Sequence, residues 1–469
     1  MQIIDLHCHS SLQPYSLKSV HPEESVTDPE SRTSLWFQDK ARWLTKWIIN
    51  NVMNISNYSQ SDFTTARNAS CQVLCVSLYP VEKGFAEANK AGLKGLRSLF
   101  KKIIGSLFTT LRFRYLDRLA SNELNYFEEL QREYHYYFAP DILRQLPSNY
   151  RYQAFPASGV PNPNMLHFII TIEGAHALLS GHQVKDIQAW ENSLANIDTI
   201  KRWAYPPFFI TLAHHYYNGL CTHAQSLFGM AKLGGQQYGM RADGFIPDDR
   251  EAPISSIGYR VIRALLSTQN GRRILIDVKH MSREARQAYY ALLRSEYQGE
   301  SIPVIISHGA LRRYYNHQIN VDEQDLLMVY QSKGLFGIEA DRRVLGEKSK
   351  NAQYESDAAR YSGCAADTTY LPYWLNMVFT AEWAWNAGFQ VNPWGPICIG
   401  SDYDGIIDPC GNKRTAEDFI DLAQALKKFL GWYWQHQLGP IPVGNADAVI
   451  DAILYSNALR FIQKHYCAD

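Results

Sequence analysis

Residues 273–309 read RILIDVKHMSREARQAYYALLRSEYQGESIPVIISHG, and this stretch determines the fold that we predict. It begins and ends with short apolar, β-branched runs, which are typical of buried strands. The residues between these runs have helical spacing, with Ser282 as the expected N-cap and Glu284 in the first turn. A strand, a helix and a second strand in this order indicate a parallel sheet that is covered by helices.

The same kind of apolar strand recurs along the chain. Each run ends in a polar or charged cluster, and segments with helical spacing separate most of the runs. The eight predicted strands are QIIDLHCH (2–9), CQVLCVSLYP (71–80), MLHFIITIEGAH (165–176), FFITLAHH (208–215), RILIDVKH (273–280), IPVIISHG (302–309), GLFGIEAD (334–341) and PICIGSDYDG (396–405). Eight such units predict an α/β protein with a (β/α)8 TIM barrel, and a doubly wound open sheet is the alternative.

The length of the chain requires insertions in this barrel. A chain of 469 residues exceeds the usual size of one core, yet barrels with insertions reach this length. We predict one barrel domain over residues 1–469, with insertions at about 10–70 and 84–160 around the second strand. The later insertion contains a basic amphipathic segment at 92–119, either a helix that covers the barrel or a docking surface. Two helical segments at the C-terminal end are predicted to pack on the barrel.

Composition excludes several classes of protein. The 46 lysine and arginine residues equal the 46 aspartate and glutamate residues in number, so no excess of basic charge attracts a phosphate backbone. The sequence contains no uninterrupted apolar stretch of about 18 residues, and the N-terminal segment lacks the pattern of a signal peptide. We therefore expect no nucleic-acid partner, no transmembrane segment and a cytoplasmic location, with a secreted form as the alternative.

Side chains that bind metals follow six of the eight predicted strands. The C-terminal ends of all strands meet at one rim of a (β/α)8 barrel, so we expect these side chains to converge. An unpaired polar group that is buried under loops costs about 1 to 3 kcal/mol, and a common metal centre would satisfy them together. The candidate residues are His7, His9, Glu173, His214, His215, His280, His308 and Asp402.

The types of ligand narrow the choice of metal. Imidazole and carboxylate groups without a thiolate cluster predict zinc in an open catalytic site, with Mn, Fe, Co or Ni as substitutes. Four or five ligands and a carboxylate able to bridge indicate two ions about 3.5 to 4 Å apart. Solvent between two such ions becomes hydroxide near neutral pH and is ready to attack a carbonyl. The residues thus predict a metal-dependent hydrolase that acts on a small molecule.

Seven motifs resemble those of the membrane (renal) dipeptidase family, which lies within the amidohydrolase superfamily. In the family's order they are DLHCHS, IEGAHAL, ITLAHHYYNG, LIDVKHMS, PVIISHGA, GSDYDG and NALRF. The resemblance implies a zinc dipeptidase with a homodimer as a possible assembly. It also implies that Glu173 bridges two metal ions. The first ion would be bound by His7 and His9, and the second by His280 and His308.

The resemblance also implies which residues act on a dipeptide substrate. His214 matches the histidine that polarises the substrate and stabilises the tetrahedral oxyanion, and the adjacent His215 could substitute for it. Asp402 matches the aspartate that takes a proton from the bridging water and delivers it to the leaving amine. These roles complete a site for hydrolysis of a peptide bond.

Two positions depart from the family's pattern. The first strand carries His7-x-His9 where the dipeptidases usually present His-x-Asp, which raises the charge of the site by one unit. Ile319 occupies the position of an arginine that grips the terminal carboxylate of the substrate in the family. Arg312, Arg313 or Arg342 could supply this cation from another loop, and a blocked, larger or less charged amide is the alternative substrate.

Two further functions stay open on the sequence alone. The same centre could hydrolyse another amide, a lactone or a related bond, including deamination and phosphoester hydrolysis. A non-catalytic binding protein is the other alternative, with insertions that dock a partner. Such a protein is expected to have lost metal ligands or the catalytic acid, and this sequence retains both.

Overall fold

The structure is a computed structural model of the chain. It describes residues 1–18, 21–39, 58–82, 125–138, 146–226, 252–349, 351–405 and 407–467. The predicted basic segment at 92–119 lies outside these residues, as do parts of both predicted insertions. The prediction of a single domain over the whole chain therefore stays a prediction.

Eight parallel strands form a closed ring, which confirms the predicted (β/α)8 barrel. The barrel strands are β1 (Ile3–Cys8), β2 (Cys71–Leu78), β4 (Leu166–Glu173), β5 (Phe209–Thr211), β6 (Leu275–Asp277), β7 (Ile305–Gly309), β8 (Leu335–Ile338) and β9 (Ile397–Ile399). Pairing of β2 with β4 closes the ring, with Val73 opposite His167 and Leu78 opposite Ile172. A short additional strand, β3 (Tyr152–Ala154), pairs with the first residues of β4.

The strands are apolar because the barrel interior covers one of their faces and helices cover the other. Every residue of β1, β2 and β4 is buried. Buried aspartates on the strands form hydrogen bonds with residues of neighbouring strands or of the segments that follow them. Asp5 of β1 accepts hydrogen bonds from the amide and the hydroxyl of Ser401, and Asp277 of β6 accepts from the hydroxyls of Thr211 and Ser307.

Helices follow the barrel strands in the predicted alternation. They are α1 (Leu12–Lys18), α2 (Phe63–Asn68), α3 (Tyr126–Phe138), α4 (Ile187–Ser193), α5 (Ala195–Lys201), α6 (Ser256–Leu266), α7 (Arg283–Glu296), α8 (Glu323–Gln331), α9 (Ala352–Ala359), α10 (Leu371–Asn386), α11 (Asp418–Gln435), α12 (Ala446–Asp451) and α13 (Asn457–His465). Short 3-10 turns occur at Ser148–Tyr150, Ala175–Leu178 and Thr368–Tyr370, and a π-helical turn at Ala452–Ser456 joins α12 to α13. None of the described helices has the length and apolar character needed to cross a membrane.

Two predictions about individual helices are confirmed. The side chain of Ser282 accepts a hydrogen bond from the amide of Ala285 and so caps α7, and Glu284 lies in the first turn. Of the C-terminal segments predicted to pack on the barrel, the second does so, because α13 contacts β1 and β9. The capping residue predicted for α7 and the packing predicted for α13 are therefore both present in the structure.

A buried ion pair joins α7 to α8. The guanidinium of Arg286 donates to both oxygens of Asp325 at 2.9 Å, and each side chain is at most 3% exposed. The same guanidinium also donates to the backbone carbonyls of Gln318 and Asn320, in the loop that carries Ile319. This pair therefore fixes the loop that follows β7 as well as the two helices.

Replacement of Arg286 with methionine is expected to destabilise the fold by about 3 to 5 kcal/mol, because the carboxylate of Asp325 stays buried without its partner. The free energy of unfolding, measured by urea denaturation, tests this prediction. The matched control is Arg294→Met on the exposed side of the same helix, where a change within about 0.5 kcal/mol is expected. Equal stability losses in the two variants would contradict the prediction.

Candidate metal centre

The carboxyl ends of the barrel strands bring five predicted histidines to the carboxylate of Glu173. Glu173 is the last residue of β4, and the histidines come from β1, β7 and the segments that follow β1, β5 and β6. Each histidine places its Nε2 atom within 3.6 Å of a Glu173 oxygen. The distances to Oε2 are 2.9 Å for His9 and 3.3 Å for His214, and those to Oε1 are 3.3 Å for His280, 3.4 Å for His7 and 3.6 Å for His308.

Asp402 lies at the edge of the same cluster, in the segment that follows β9. Its Oδ1 atom is 3.4 Å from Nε2 of His9 and 3.6 Å from Nε2 of His7. The backbone of Asp402 has φ 59° and that of His280 has φ 66°, so both residues adopt the left-handed region. Residues other than glycine are uncommon in this region, and such backbone strain clusters at functional sites.

Several buried polar atoms in the cluster have no well-aligned hydrogen bond. These atoms are Oε1 of Glu173, Nδ1 of His7 and of His9, Nε2 of His308 and both ring nitrogens of His280. An unsatisfied buried polar group costs about 1 to 3 kcal/mol, so several of them in one place require an explanation. A divalent cation would accept the lone pairs of the carboxylate and the imidazoles together. The residues present therefore fit a metal ion.

Within this cluster, two groups of side chains offer ligand atoms that lie within 4.8 Å of one another. The first group is His7, Glu173, His308 and Asp402, and the second group is His214, His215 and His280. Glu173 also reaches the second group, because its two oxygens lie 3.3 Å from His214 and His280. The carboxylate of Glu173 thus stands between two potential cation positions.

The electrostatics of the cluster favour the protonation states that bind metals. Burial lowers the pKa of His214 and of His280 to about 3, so both imidazoles are neutral near pH 7. Burial alone would raise the pKa of Glu173, but His214, His7 and His9 hold it well below its ordinary value. Burial also opposes the charge on His9, yet Glu173 and Asp402 raise its pKa to about 10. A cation that binds here would displace the proton of His9.

The outer nitrogens of three histidines contact neighbouring polar groups. Nδ1 of His214 lies 2.9 Å from Oε2 of Glu82, and Nδ1 of His308 lies 2.8 Å from the hydroxyl of Ser307. Nδ1 of His215 lies 2.6 Å from the hydroxyl of Ser226. Contacts of this kind fix the rotation and the tautomer of metal-binding histidines.

Two acids at the rim were missed by the sequence analysis. Glu82 follows β2, and Glu339 follows β8, the two barrel strands to which no site residue was assigned. Glu339 accepts a hydrogen bond at 2.7 Å from Lys279, the neighbour of His280, and both side chains are almost fully buried. The signal that could have revealed these acids was their position, because every strand of the barrel ends at the same rim.

Two of the three arginines that were predicted to bind a substrate carboxylate are paired with carboxylates of the chain. Nε of Arg313 lies 3.0 Å from Asp357, and Nε of Arg342 lies 2.9 Å from Asp408. The side chain of Ile319 is only 4% exposed. Recognition of a substrate carboxylate by either arginine stays a prediction.

A comparison with protein families finds a match to this chain. The model of the membrane dipeptidase family (peptidase family M19) matches residues 238–453, a range that contains His280, His308 and Asp402. The resemblance to the membrane dipeptidases is confirmed. Because these proteins are metallopeptidases, the match supports a metal-dependent hydrolase. A comparison with curated proteins finds no match.

Two solved structures are similar in fold to this chain. Dipeptidase AC, a metallopeptidase of family M19, has a TM-score of 0.52 at 12% identity, with 100% of this chain and 99% of that chain covered. The probable dipeptidase PvdM from Pseudomonas aeruginosa has a TM-score of 0.50 at 13% identity, with 87% of this chain and 90% of that chain covered. At such identities the likeness supports the fold alone.

Proposed function

We propose that this protein is a zinc-dependent hydrolase with two metal ions that cleaves the peptide or amide bond of a dipeptide-like substrate. The observation that carries the proposal is the convergence of five Nε2 atoms on the carboxylate of Glu173, each within 3.6 Å. Imidazole and carboxylate groups are the ligands of catalytic zinc sites. The match to the membrane dipeptidase family supports the same class of reaction.

In this proposal Glu173 would hold both ions together with His7, His9, His280 and His308. The resemblance assigns His7 and His9 to one ion and His280 and His308 to the other, whereas the neighbouring ligand atoms group His7 with His308. When bound, such ions would lower the pKa of coordinated water and would polarise the substrate carbonyl. The burial of all five side chains excludes bulk water from the ligands and strengthens the electrostatic interactions among them.

Two residues move or hold protons in the proposed reaction. The carboxylate of Asp402 lies within 3.6 Å of His7 and His9, so it can take a proton from the attacking solvent and give it to the leaving amine. Nε2 of His214 lies 3.3 Å from Oε2 of Glu173, and the resemblance assigns this histidine to the carbonyl oxygen on which negative charge develops. A hydrogen bond from Nε2 to that oxygen requires the imidazolium form, because Nδ1 already contacts Glu82. The neighbouring His215 completes the wall of the site on this side.

A second candidate substrate is an amide without a free carboxylate. Ile319 carries no charge, and both Arg313 and Arg342 are already paired with aspartates. A guanidinium in such a pair must give up its partner before it binds a substrate carboxylate. These observations favour a blocked or less charged dipeptide over a free one. A cytoplasmic location and a homodimer stay predictions from the sequence.

Metal analysis and a substrate screen test the proposal together. Purified protein is dialysed, its metal content is measured by plasma mass spectrometry, and about two zinc ions per chain are expected. L,L-, L,D- and C-terminally amidated dipeptides of matched sequence are then assayed, and hydrolysis of at least one series is expected. Absence of a bound transition metal would contradict the proposal. One ion per chain with hydrolysis of lactones alone would favour the alternative chemistry instead.

A further inference from the structure

We infer that Glu82 is a positioning residue of the proposed active site, which fixes the imidazole of His214. This inference rests on the proposed function, because it concerns the histidine that faces the substrate. Glu82 belongs to the segment that follows β2, and its side chain is almost fully buried, with 4% exposed. A buried carboxylate requires hydrogen-bond donors. The donors to Glu82 indicate its role in the site.

Three donors converge on the two carboxylate oxygens of Glu82. Oε2 lies 2.9 Å from Nδ1 of His214 and accepts a hydrogen bond from the hydroxyl of Tyr79 at 2.8 Å. Oε1 accepts a hydrogen bond from the backbone amide of Tyr216 at 2.9 Å. Hydrogen bonds to an ionised acceptor are the stronger kind, so this arrangement holds the carboxylate in one orientation.

The position of Glu82 determines what His214 can do. Carboxylate oxygens accept hydrogen bonds, so the 2.9 Å contact places a proton on Nδ1 of His214, which donates a hydrogen bond to Oε2 of Glu82. The ring is then fixed with Nε2 directed at Glu173, 3.3 Å from Oε2. A carboxylate that binds one ring nitrogen fixes both the tautomer and the rotation of the ring. Any step that uses Nε2 of His214 therefore depends on Glu82.

A helix of the predicted second insertion supports this pair. Glu133 of α3 is 1% exposed, and it accepts hydrogen bonds from the amide of Tyr79 at 2.8 Å and from the hydroxyl of Ser11 at 2.6 Å. Tyr79 lies three residues before Glu82, and Ser11 lies two residues after His9. Helix α3 is therefore hydrogen-bonded to the segment that carries Glu82 and to the segment that carries His7 and His9.

A double-mutant cycle tests the inference through kinetics. Glu82→Gln is expected to lower kcat/KM by about 10- to 100-fold while the metal content stays at the wild-type level, because the histidine is misplaced and the ligands are kept. In a His214→Ala background the same substitution is expected to change kcat/KM by less than about 2-fold. A full additional loss in that background would overturn the inference.

A spectroscopic measurement separates this inference from the proposed function. The Nδ1 proton signal of His214 is identified in histidine-labelled protein by its loss in His214→Ala, and Glu82→Gln is expected to shift or remove it. The control is Asp62→Asn, a buried acid whose hydrogen bonds go to Thr65, and this variant is expected to leave the signal unchanged. An unchanged signal in Glu82→Gln would overturn the inference whether or not any dipeptide is cleaved.

The failure of every amide substrate, together with the expected shift of the signal, would count against the proposed function and support the positioning role. If Glu82→Gln does not fold, Tyr79→Phe replaces it in the spectroscopic test. This variant removes one donor to Oε2 and keeps the carboxylate and the imidazole. It is expected to move the same signal, and no movement would overturn the inference.

Discussion

Replacement of Glu173 with glutamine is expected to abolish metal binding and to lower kcat/KM by at least about 1,000-fold. The physical reason is that one carboxylate serves five imidazoles, each with Nε2 within 3.6 Å of its oxygens. The amide of glutamine keeps the shape of the side chain but removes the negative charge that would offset the two proposed divalent cations. Metal content after dialysis and the kinetics of hydrolysis measure the two effects.

A second buried acid at the same rim provides the control for Glu173→Gln. Glu339→Gln removes a carboxylate of similar burial that contacts Lys279 and none of the proposed ligands in the hydrogen bonds of the described chain. This variant is expected to keep the wild-type metal content. Full metal content in Glu173→Gln, or equal loss in both variants, would show that Glu173 does not hold the ions.

The position of Glu173 depends on the residue that follows it. Gly174 has φ 86°, in the region that favours glycine, and the chain turns there at the end of β4. A Cβ atom at this position would lie 2.4 Å from the ring of His176. The turn directs the chain away from the strand at once and leaves the carboxylate of Glu173 at the mouth of the barrel.

The arrangement of the strands and the convergence of the candidate ligands could be predicted from the sequence, for one physical reason. Apolar strands that alternate with helices close into a barrel, and this closure brings the end of every strand to one rim. His7 of β1 and Asp402 after β9 are far apart in the chain, yet their side-chain atoms lie 3.6 Å apart. Periodicity and barrel geometry together were sufficient to predict this proximity.

Contacts between loops could not be predicted in the same way. Glu82 and His214 are 132 positions apart, and Arg342 and Asp408 are 66 positions apart. Neither pair belongs to a periodic pattern, because loop segments meet through the packing of the whole molecule. The sequence analysis predicted that an arginine could bind a substrate carboxylate. The structure instead pairs Arg313 and Arg342 with acids from other segments of the chain. Substrate specificity depends on such contacts and is therefore the least predictable property of the site.

The replacement of Asp402 with asparagine is expected to separate proton transfer from metal binding. In the proposed mechanism Asp402 accepts and returns a proton, so the variant is expected to lose about 100- to 10,000-fold in kcat. The five proposed ligands are unchanged, and the metal content is expected to stay at the wild-type level. Steady-state kinetics and metal analysis of the same preparation measure the two quantities.

Asp404 offers a matched control two residues along the chain. Like Asp402 it is buried with a positive φ, of 67°, but its oxygens accept hydrogen bonds from the amides of Gln60 and Ser61. Asp404→Asn therefore weakens the hydrogen bonds to the segment that contains Gln60 and Ser61. Its main expected effect is a lower free energy of unfolding. If Asp404→Asn lowers kcat as much as Asp402→Asn does, the kinetic effect arises from a shared disturbance of the segment and not from a proton carried by Asp402. If only Asp402→Asn lowers kcat and its metal content stays at the wild-type level, Asp402 acts on the substrate and not on the binding of the ions.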